Sequence, residues 1–156
     1  VRIRRGIDSV NFSYVSNFSS AVSARTMDLG LVINSLGKDQ IDYDDLGKKL
    51  GMEVVSVSSI LQEPGQTILL HRDMFYQITK KYPDDKRLKV RANIYLQDWL
   101  PGHLIHYQDE NYDWQSSTHW RAGDGFLWDS SHLHLSGNCG LKDKYTLQVS
   151  GFFRFK

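Results

Sequence analysis

The alternation in residues 90–97 constrains this chain more tightly than any other feature of it. Val90, Ala92, Ile94 and Leu96 fall on one side of an extended strand, and Arg91, Asn93, Tyr95 and Gln97 fall on the other. Residues 144–150 repeat the pattern, with Tyr145, Leu147 and Val149 on one side and Lys144, Thr146, Gln148 and Ser150 on the other. A period of two belongs to strands, so both segments are expected in a sheet. The polar faces have two readings. They are the wet side of an antiparallel sheet, or they line a cavity while the apolar faces pack on a supporting layer. On the second reading Lys144 is buried. A buried cation without an anionic partner is costly, so Lys144 predicts an acidic ligand.

Strand texture also covers residues 53–61, 66–73, 102–107, 125–128 and 133–136, and the two alternating segments extend to 88–97 and 145–155. Pro64-Gly65 is a turn signal. Before residue 53 the period is helical. Ala21, Val22, Met27, Leu29, Leu31, Val32 and Leu36 suggest an amphipathic helix closed by Gly37, and residues 43–50 a short one closed by Gly51. The expected fold is mainly β (α+β), an antiparallel sandwich or barrel with N-terminal supporting helices. The expected organisation is a single domain over residues 1–156, with helical support in 1–52 and the β core in 53–156. A chain of 156 residues can bury such a core. Its one cysteine, Cys139, excludes an internal disulfide framework, so folding rests on packing.

Charge does not point to nucleic acid: 19 Lys+Arg stand against 18 Asp+Glu. The basic runs Arg2-Ile3-Arg4-Arg5 and 86–91 read as solvated surface. No apolar run reaches the roughly 20 residues that cross a bilayer, and no charged-then-apolar leader precedes the domain. A soluble, intracellular protein is expected. The triplets Asn11-Phe12-Ser13 and Asn17-Phe18-Ser19 fit glycosylation only in a secreted chain, and Val1 in place of a methionine fits a trimmed N-terminus.

The chemistry-bearing motif is His71-Arg72-Asp73, with His134 61 positions after His71. On a strand, His71 and Asp73 share a face, and two imidazoles with one carboxylate can hold Fe(II) with half its coordination sphere open. The bland alternative is a His–Asp pair on a surface strand. His132, two residues before His134, is the rival third ligand. His103, His106 and His119 read as ordinary polar side chains, although His106 could face a pocket. The aromatic-rich span from Tyr95 to Trp128, which includes Trp99, Tyr107, Tyr112, Trp114, Trp120 and Phe126, reads as core. The polar residues 108–119 read as a loop placed to cover a pocket.

In order, Pro64-Gly65, His71-Arg72-Asp73, residues 92–97, Pro101-Gly102-His103-Leu104, residues 120–125, His134, Asn138 and Lys144-Tyr145-Thr146 resemble the Fe(II)/2-oxoglutarate-dependent dioxygenases, in particular their prolyl-4-hydroxylase-like branch. The resemblance covers roughly residues 53–155. It implies a double-stranded β-helix, a jelly-roll or cupin-like barrel. It also implies His71, Asp73 and His134 as catalytic metal ligands for Fe(II). Lys144, ten positions after His134, would hold the far carboxylate of the cosubstrate 2-oxoglutarate, helped by Thr146 and Tyr95. His134 is favoured over His132 because Asn138 then falls four positions on, and because the ten-residue step lands on Lys144. The implied activity is hydroxylation by O2, with release of succinate and CO2, of a peptidyl residue such as proline or of a small metabolite. Lys144 stands where Arg is commoner in the family, and His103 stands where glycine is frequent. Two other classes remain. One is a cupin-type metal protein that does not use 2-oxoglutarate, although His132-Leu133-His134 lacks the glutamate that follows His-x-His in cupins. The other is a metal-free jelly-roll binding module.

Overall fold

The computed structural model describes residues 32–154. The basic run at Arg2–Arg5, both Asn-Phe-Ser triplets and residues 21–31 of the expected first helix lie outside them. From the N-terminus the elements are β1 (Val32–Leu36), α1 (Tyr43–Leu50), β2 (Met52–Gln62), β3 (Thr67–His71), α2 (Tyr76–Lys81), β4 (Lys89–Tyr95), β5 (His103–Gln108), β6 (Trp114–Ser117), β7 (Gly125–Trp128), β8 (His134–Asn138) and β9 (Lys144–Phe153). They form two antiparallel sheets. The larger has the order β1-β2-β9-β4-β7, and the smaller β3-β8-β5-β6. After β2 the chain passes back and forth between the two sheets, apart from the β5–β6 hairpin. That traffic makes the structure a jelly roll.

The expected short helix forms over the expected residues. Asp42 caps it by accepting from the backbone N–H groups of Asp44 at 2.9 Å and Asp45 at 3.0 Å. Gly51 closes it in the left-handed region at φ 66°. Residues 32–36 are a correction. Read as the end of a helix, they form edge strand β1, paired with β2 from Val32↔Leu61 to Leu36↔Val57. The apolar spacing of residues 21–36 suits a helix, but Val-Ile-Asn-Ser-Leu beside the free edge of β2 gains a ladder of hydrogen bonds as a strand. The polar stretch 108–119 is likewise not all loop, because β6 pairs with β5 from Gln108↔Trp114 to Ile105↔Ser117. Helix α2 was not anticipated. No helix among the described residues is long and apolar enough to cross a membrane.

The polar faces of β4 and β9 are not the wet side of the sheet, and their apolar faces pack on a supporting layer. Val90, Ala92, Leu147 and Val149 join Met52 and Val57 in a core backed by Leu46 and Leu50 of α1. The opposite face turns inward between the sheets, where Asn93, Tyr95, Lys144, Thr146 and Ser150 are all buried. Burying about 25 cal/mol of stabilisation per Å² on the apolar side therefore carries a row of polar side chains into the interior. A second core of Tyr95, Ile105, Trp120 and Trp128, with Trp99, Tyr107 and Phe126 against it, ties the two sheets together. Most of the aromatic-rich span is core, as its density suggested; Tyr112 and Trp114 are exposed.

Candidate metal centre

His71 ends β3 and His134 begins β8, and the two are partners in the β3–β8 ladder. Antiparallel pairing puts their rings on one face, with centroids 4.4 Å apart. Asp73 follows β3 by two residues and turns its carboxylate into the same space. His71 Nε2 lies 3.7 Å from Asp73 Oδ1, and His134 Nε2 lies 3.9 Å from Asp73 Oδ2. One donor atom from each of the three residues falls within 4.8 Å of the others. His132 is elsewhere: partly exposed, it meets Asp129 at 3.0 Å through Nδ1.

The surroundings of the three side chains suit ligation. His71 Nδ1 faces the backbone oxygen of Leu69 at 2.6 Å, and His134 Nδ1 faces that of His132 at 3.1 Å. A carbonyl only accepts, so each Nδ1 carries the proton and each Nε2 presents its lone pair toward Asp73. Burial, then the neighbouring His71, pushes the His134 pKa down to about 4, which keeps the ring neutral at ordinary pH. Asp73 is 3% exposed. Its Oδ1 accepts from Arg91 Nη1, and its Oδ2 from Trp128 Nε1 at 2.9 Å. Each oxygen keeps one lone pair for a cation. Metal-bound groups held by such outer partners are the usual arrangement, and two imidazoles with one carboxylate on one side of a site suit Fe(II).

Trp128 touches two members of the group, since its ring also lies against His134 with centroids 4.1 Å apart. Trp128→Phe keeps the ring contact and removes the N–H. We expect divalent-metal affinity to fall about tenfold, the low end for losing such a partner, and the metal-free protein to lose about 1–3 kcal/mol because Asp73 Oδ2 is left unmet; anaerobic titration followed by tryptophan fluorescence measures the first and chemical denaturation the second.

Lys144 lies on the same inner face of β9 and is 1% exposed. Its ammonium donates to Leu104 O at 2.8 Å and Ser136 Oγ at 2.7 Å, with Gly137 O at 3.5 Å and the Trp120 ring centroid at 5.6 Å. No carboxylate is paired with it among the described residues. Burial pushes its pKa down to about 7. Thr146, two residues on, pairs with Tyr95 across the β4–β9 ladder. Tyr95 stacks on Trp120 at 3.8 Å between centroids, and burial pushes its phenol pKa up; Ser117 nearby opposes that shift without meeting the hydroxyl at hydrogen-bonding geometry. The Tyr95 hydroxyl, Asn93 Oδ1 and Trp120 Nε1 are buried without a hydrogen-bond partner among the described residues. Such groups cost about 1–3 kcal/mol each when left unmet. An aromatic wall runs from this end to the metal group: Trp120 on Tyr95, Tyr95 against Phe126, Phe126 beside Trp128, and Trp128 on His134.

The structure thus brings His71, Asp73 and His134 together and places Lys144, Thr146 and Tyr95 on the floor that leads away from them. His103, buried, holds Lys142 O at 2.9 Å through Nε2, while His106 and His119 stack on Trp114 and Trp99. His106 alternates with the core residues Ile105 and Tyr107, so it points away from the interior. Asn138 is a fastener. Its Nδ2 donates to Gln62 O and Lys142 O, both at 2.8 Å, and its Oδ1 accepts from Gly140 N at 3.1 Å. Sequence reasoning missed the roles of Arg91 and Trp128. The inward face of β4 flagged Arg91, but no spacing rule ties it to Asp73.

No protein-family model and no curated protein sequence matches the chain. Solved structures do. A prolyl-4-hydroxylase of Pseudomonas putida aligns over 92% of this chain and 88% of its own length, with 18% identity and a TM-score of 0.61. A protein described as a predicted oxalate decarboxylase of Thermotoga maritima aligns over 79% and 81%, with 16% identity and a TM-score of 0.47. Recombinant oxalate oxidase, bound to glycolate, aligns over 85% of this chain and 55% of its own, with 15% identity and a TM-score of 0.47. At 18% identity the likeness to the hydroxylase concerns the backbone and bears on the fold alone.

Proposed function

We propose that the protein is an Fe(II)- and 2-oxoglutarate-dependent oxygenase that hydroxylates a peptidyl residue or a small metabolite. The observation that carries the reading is the pairing of a His71-Asp73-His134 group with a lysine buried between the same two sheets that has no acidic partner among the described residues. The first suits Fe(II), and the second suits the far carboxylate of a dicarboxylic keto acid. Fe(II) and 2-oxoglutarate supply, when bound, the O2-dependent oxidation that releases succinate and CO2.

The chain's own residues bind and orient. The two Nδ1–H···O=C contacts fix the imidazole tautomers, and Arg91 and Trp128 fix the Asp73 carboxylate. Lys144 offers a point charge between the sheets, and Thr146 and Tyr95 offer hydroxyls on the same face of β4 and β9. The packed rings of Trp120, Phe126 and Trp128 would shield bound groups there from water.

Anaerobic titration of the apoprotein with Fe(II) and 2-oxoglutarate tests the reading through the weak visible charge-transfer band of a chelated keto acid. We expect the band in the native protein and in His132→Ala. It should vanish in His134→Ala and demand at least a hundredfold more 2-oxoglutarate in Lys144→Ala. Tight metal binding without a band at any 2-oxoglutarate concentration would give the site to a cupin-type metal protein instead, and no metal binding would end the enzyme reading.

A further inference from the structure

Arg91 has more hydrogen-bonding capacity than the metal group uses. Its Nε donates to Ser150 Oγ at 3.0 Å, one N–H of Nη1 goes to Asp73 Oδ1, and its plane lies over the Phe75 ring at 5.5 Å. The remaining three of the five N–H bonds of a guanidinium have no partner among the described residues. The side chain is also 23% exposed, whereas Lys144 is 1% exposed. Solvent therefore reaches Arg91 and not Lys144.

The register separates these two cations. On the inner floor Tyr95 pairs with Thr146, Asn93 with Gln148 and Arg91 with Ser150, while Lys144 lies beyond Thr146. At about 3.3 Å per residue, Arg91 stands roughly 13 Å along β4 from Tyr95. The metal group lies against Asp73 at the Arg91 end of this row, so the unpartnered N–H bonds of Arg91 stand at the end remote from Lys144. Charge points the same way. Asp73 and Arg91 cancel, the two ligating imidazoles are neutral, and a divalent ion with a doubly charged keto acid and Lys144 leaves one positive charge in a largely dry site.

We propose that Arg91 is the docking point for the prime substrate, and that this substrate carries a carboxylate. The planar fork of a guanidinium matches the two oxygens of a carboxylate, and the match is stronger than that to a neutral carbonyl. Phe75, buried beneath the guanidinium at 5.5 Å, backs it from the core side. Arg91 thereby sets which substrates come within reach of the metal. This inference rests on the oxygenase reading and narrows it to acids.

The test uses the full chain loaded with Co(II), whose visible spectrum reports its surroundings without reacting with O2, at saturating 2-oxoglutarate. A set of N-acetylated amino acids and their uncharged amides is titrated in. We expect acids to perturb the Co(II) bands at concentrations at least tenfold lower than the matching amides. In Arg91→Gln that preference should disappear. In Arg91→Lys, which keeps the charge and loses the fork, it should persist at reduced strength. Equal perturbation by acids and amides in the native protein, no perturbation by any acid, or an undiminished preference in Arg91→Gln each overturn the inference. The keto-acid band of the Fe(II) form, measured alongside, separates the two readings: its absence from the native protein ends the oxygenase assignment, whereas its presence without an acid preference ends only the role of Arg91.

Discussion

Lys144→Met is expected to make the fold more stable and to leave the protein unable to hold 2-oxoglutarate. Burial lowers the Lys144 pKa from 10.5 to about 7, and each unit corresponds to about 1.4 kcal/mol. Holding the charged ammonium inside therefore costs about 5 kcal/mol, partly recovered through its contacts with Leu104 O and Ser136 Oγ. Methionine fills the same channel without charge, and Ser136 keeps its bond to Gln62 Oε1 at 2.7 Å. A net gain of about 2 kcal/mol is expected at pH 6 by chemical denaturation.

The gain must depend on pH with a definite sign. Between pH 7 and 10.5 the unfolded chain holds a proton on Lys144 that the native chain has released, so native stability rises with pH across that window. The advantage of Lys144→Met is full below pH 7 and shrinks toward pH 10.5. An acidic ligand reverses the shift, because a carboxylate beside the ammonium favours its charged form. At pH 8, binding of 2-oxoglutarate to the native protein should take up close to one proton, seen by calorimetry in buffers of different ionisation enthalpy. A stability that is flat with pH, or binding without proton uptake, would contradict the assignment of Lys144 as the anchor.

Arg91→Met is expected to destabilise the metal-free protein by about 3 kcal/mol and to tighten its hold on a divalent ion. Asp73 is buried between two imidazoles, and Arg91 is its counter-ion. Removing one partner of a buried ion pair strands the other at a cost of about 3–5 kcal/mol; the partial exposure of Arg91 places this case at the low end. A divalent ion can replace the lost counter-ion, so the increase in melting temperature on adding Zn(II) should be larger in the variant than in the native protein. The metal also loses a repelling charge about two bonds beyond its ligand. Looser orientation of Asp73 works in the opposite direction and is worth about 10–100-fold in affinity; Trp128 still holds Oδ2 at 2.9 Å, so the charge effect should win. Equal metal-induced shifts in the two proteins would show that Arg91 is not the counter-ion.

The candidate site was partly legible before folding. His71 and Asp73 are two residues apart, which flagged them as a pair, although the expected strand over 66–73 ends at His71 and Asp73 reaches the same space from the residues after it. Lys144 was legible only in part: the alternation put it on the polar face of its strand, but left open whether that face was wet or buried. His132 against His134 was harder. They share a strand face by period, and the choice between them rested on family spacing. In the folded chain the difference is one of environment, because β8 starts at His134 and pairs it with His71, whereas His132 lies before the strand and meets Asp129. Helix α1 was legible over residues 43–50 through its period and Gly51, while its Asp42 cap emerged only in the structure. Strand β1 was not, since an apolar stretch near a helical period becomes a strand only when an open edge is present to receive it.

The sequence by itself determined the β character, the short helix and which residues share a face of β4 and β9, because each depends on a spacing of a few residues that backbone geometry converts directly into a face; that the Lys144 face is buried was decided by the second sheet closing over it. Tertiary structure alone decided which sheet each strand joins, that His134 lies opposite His71, and that Arg91 and Trp128 reach Asp73 across 18 and 55 residues of chain. Those contacts arise when two sheets close on one another, and no local period carries the register at which they do so.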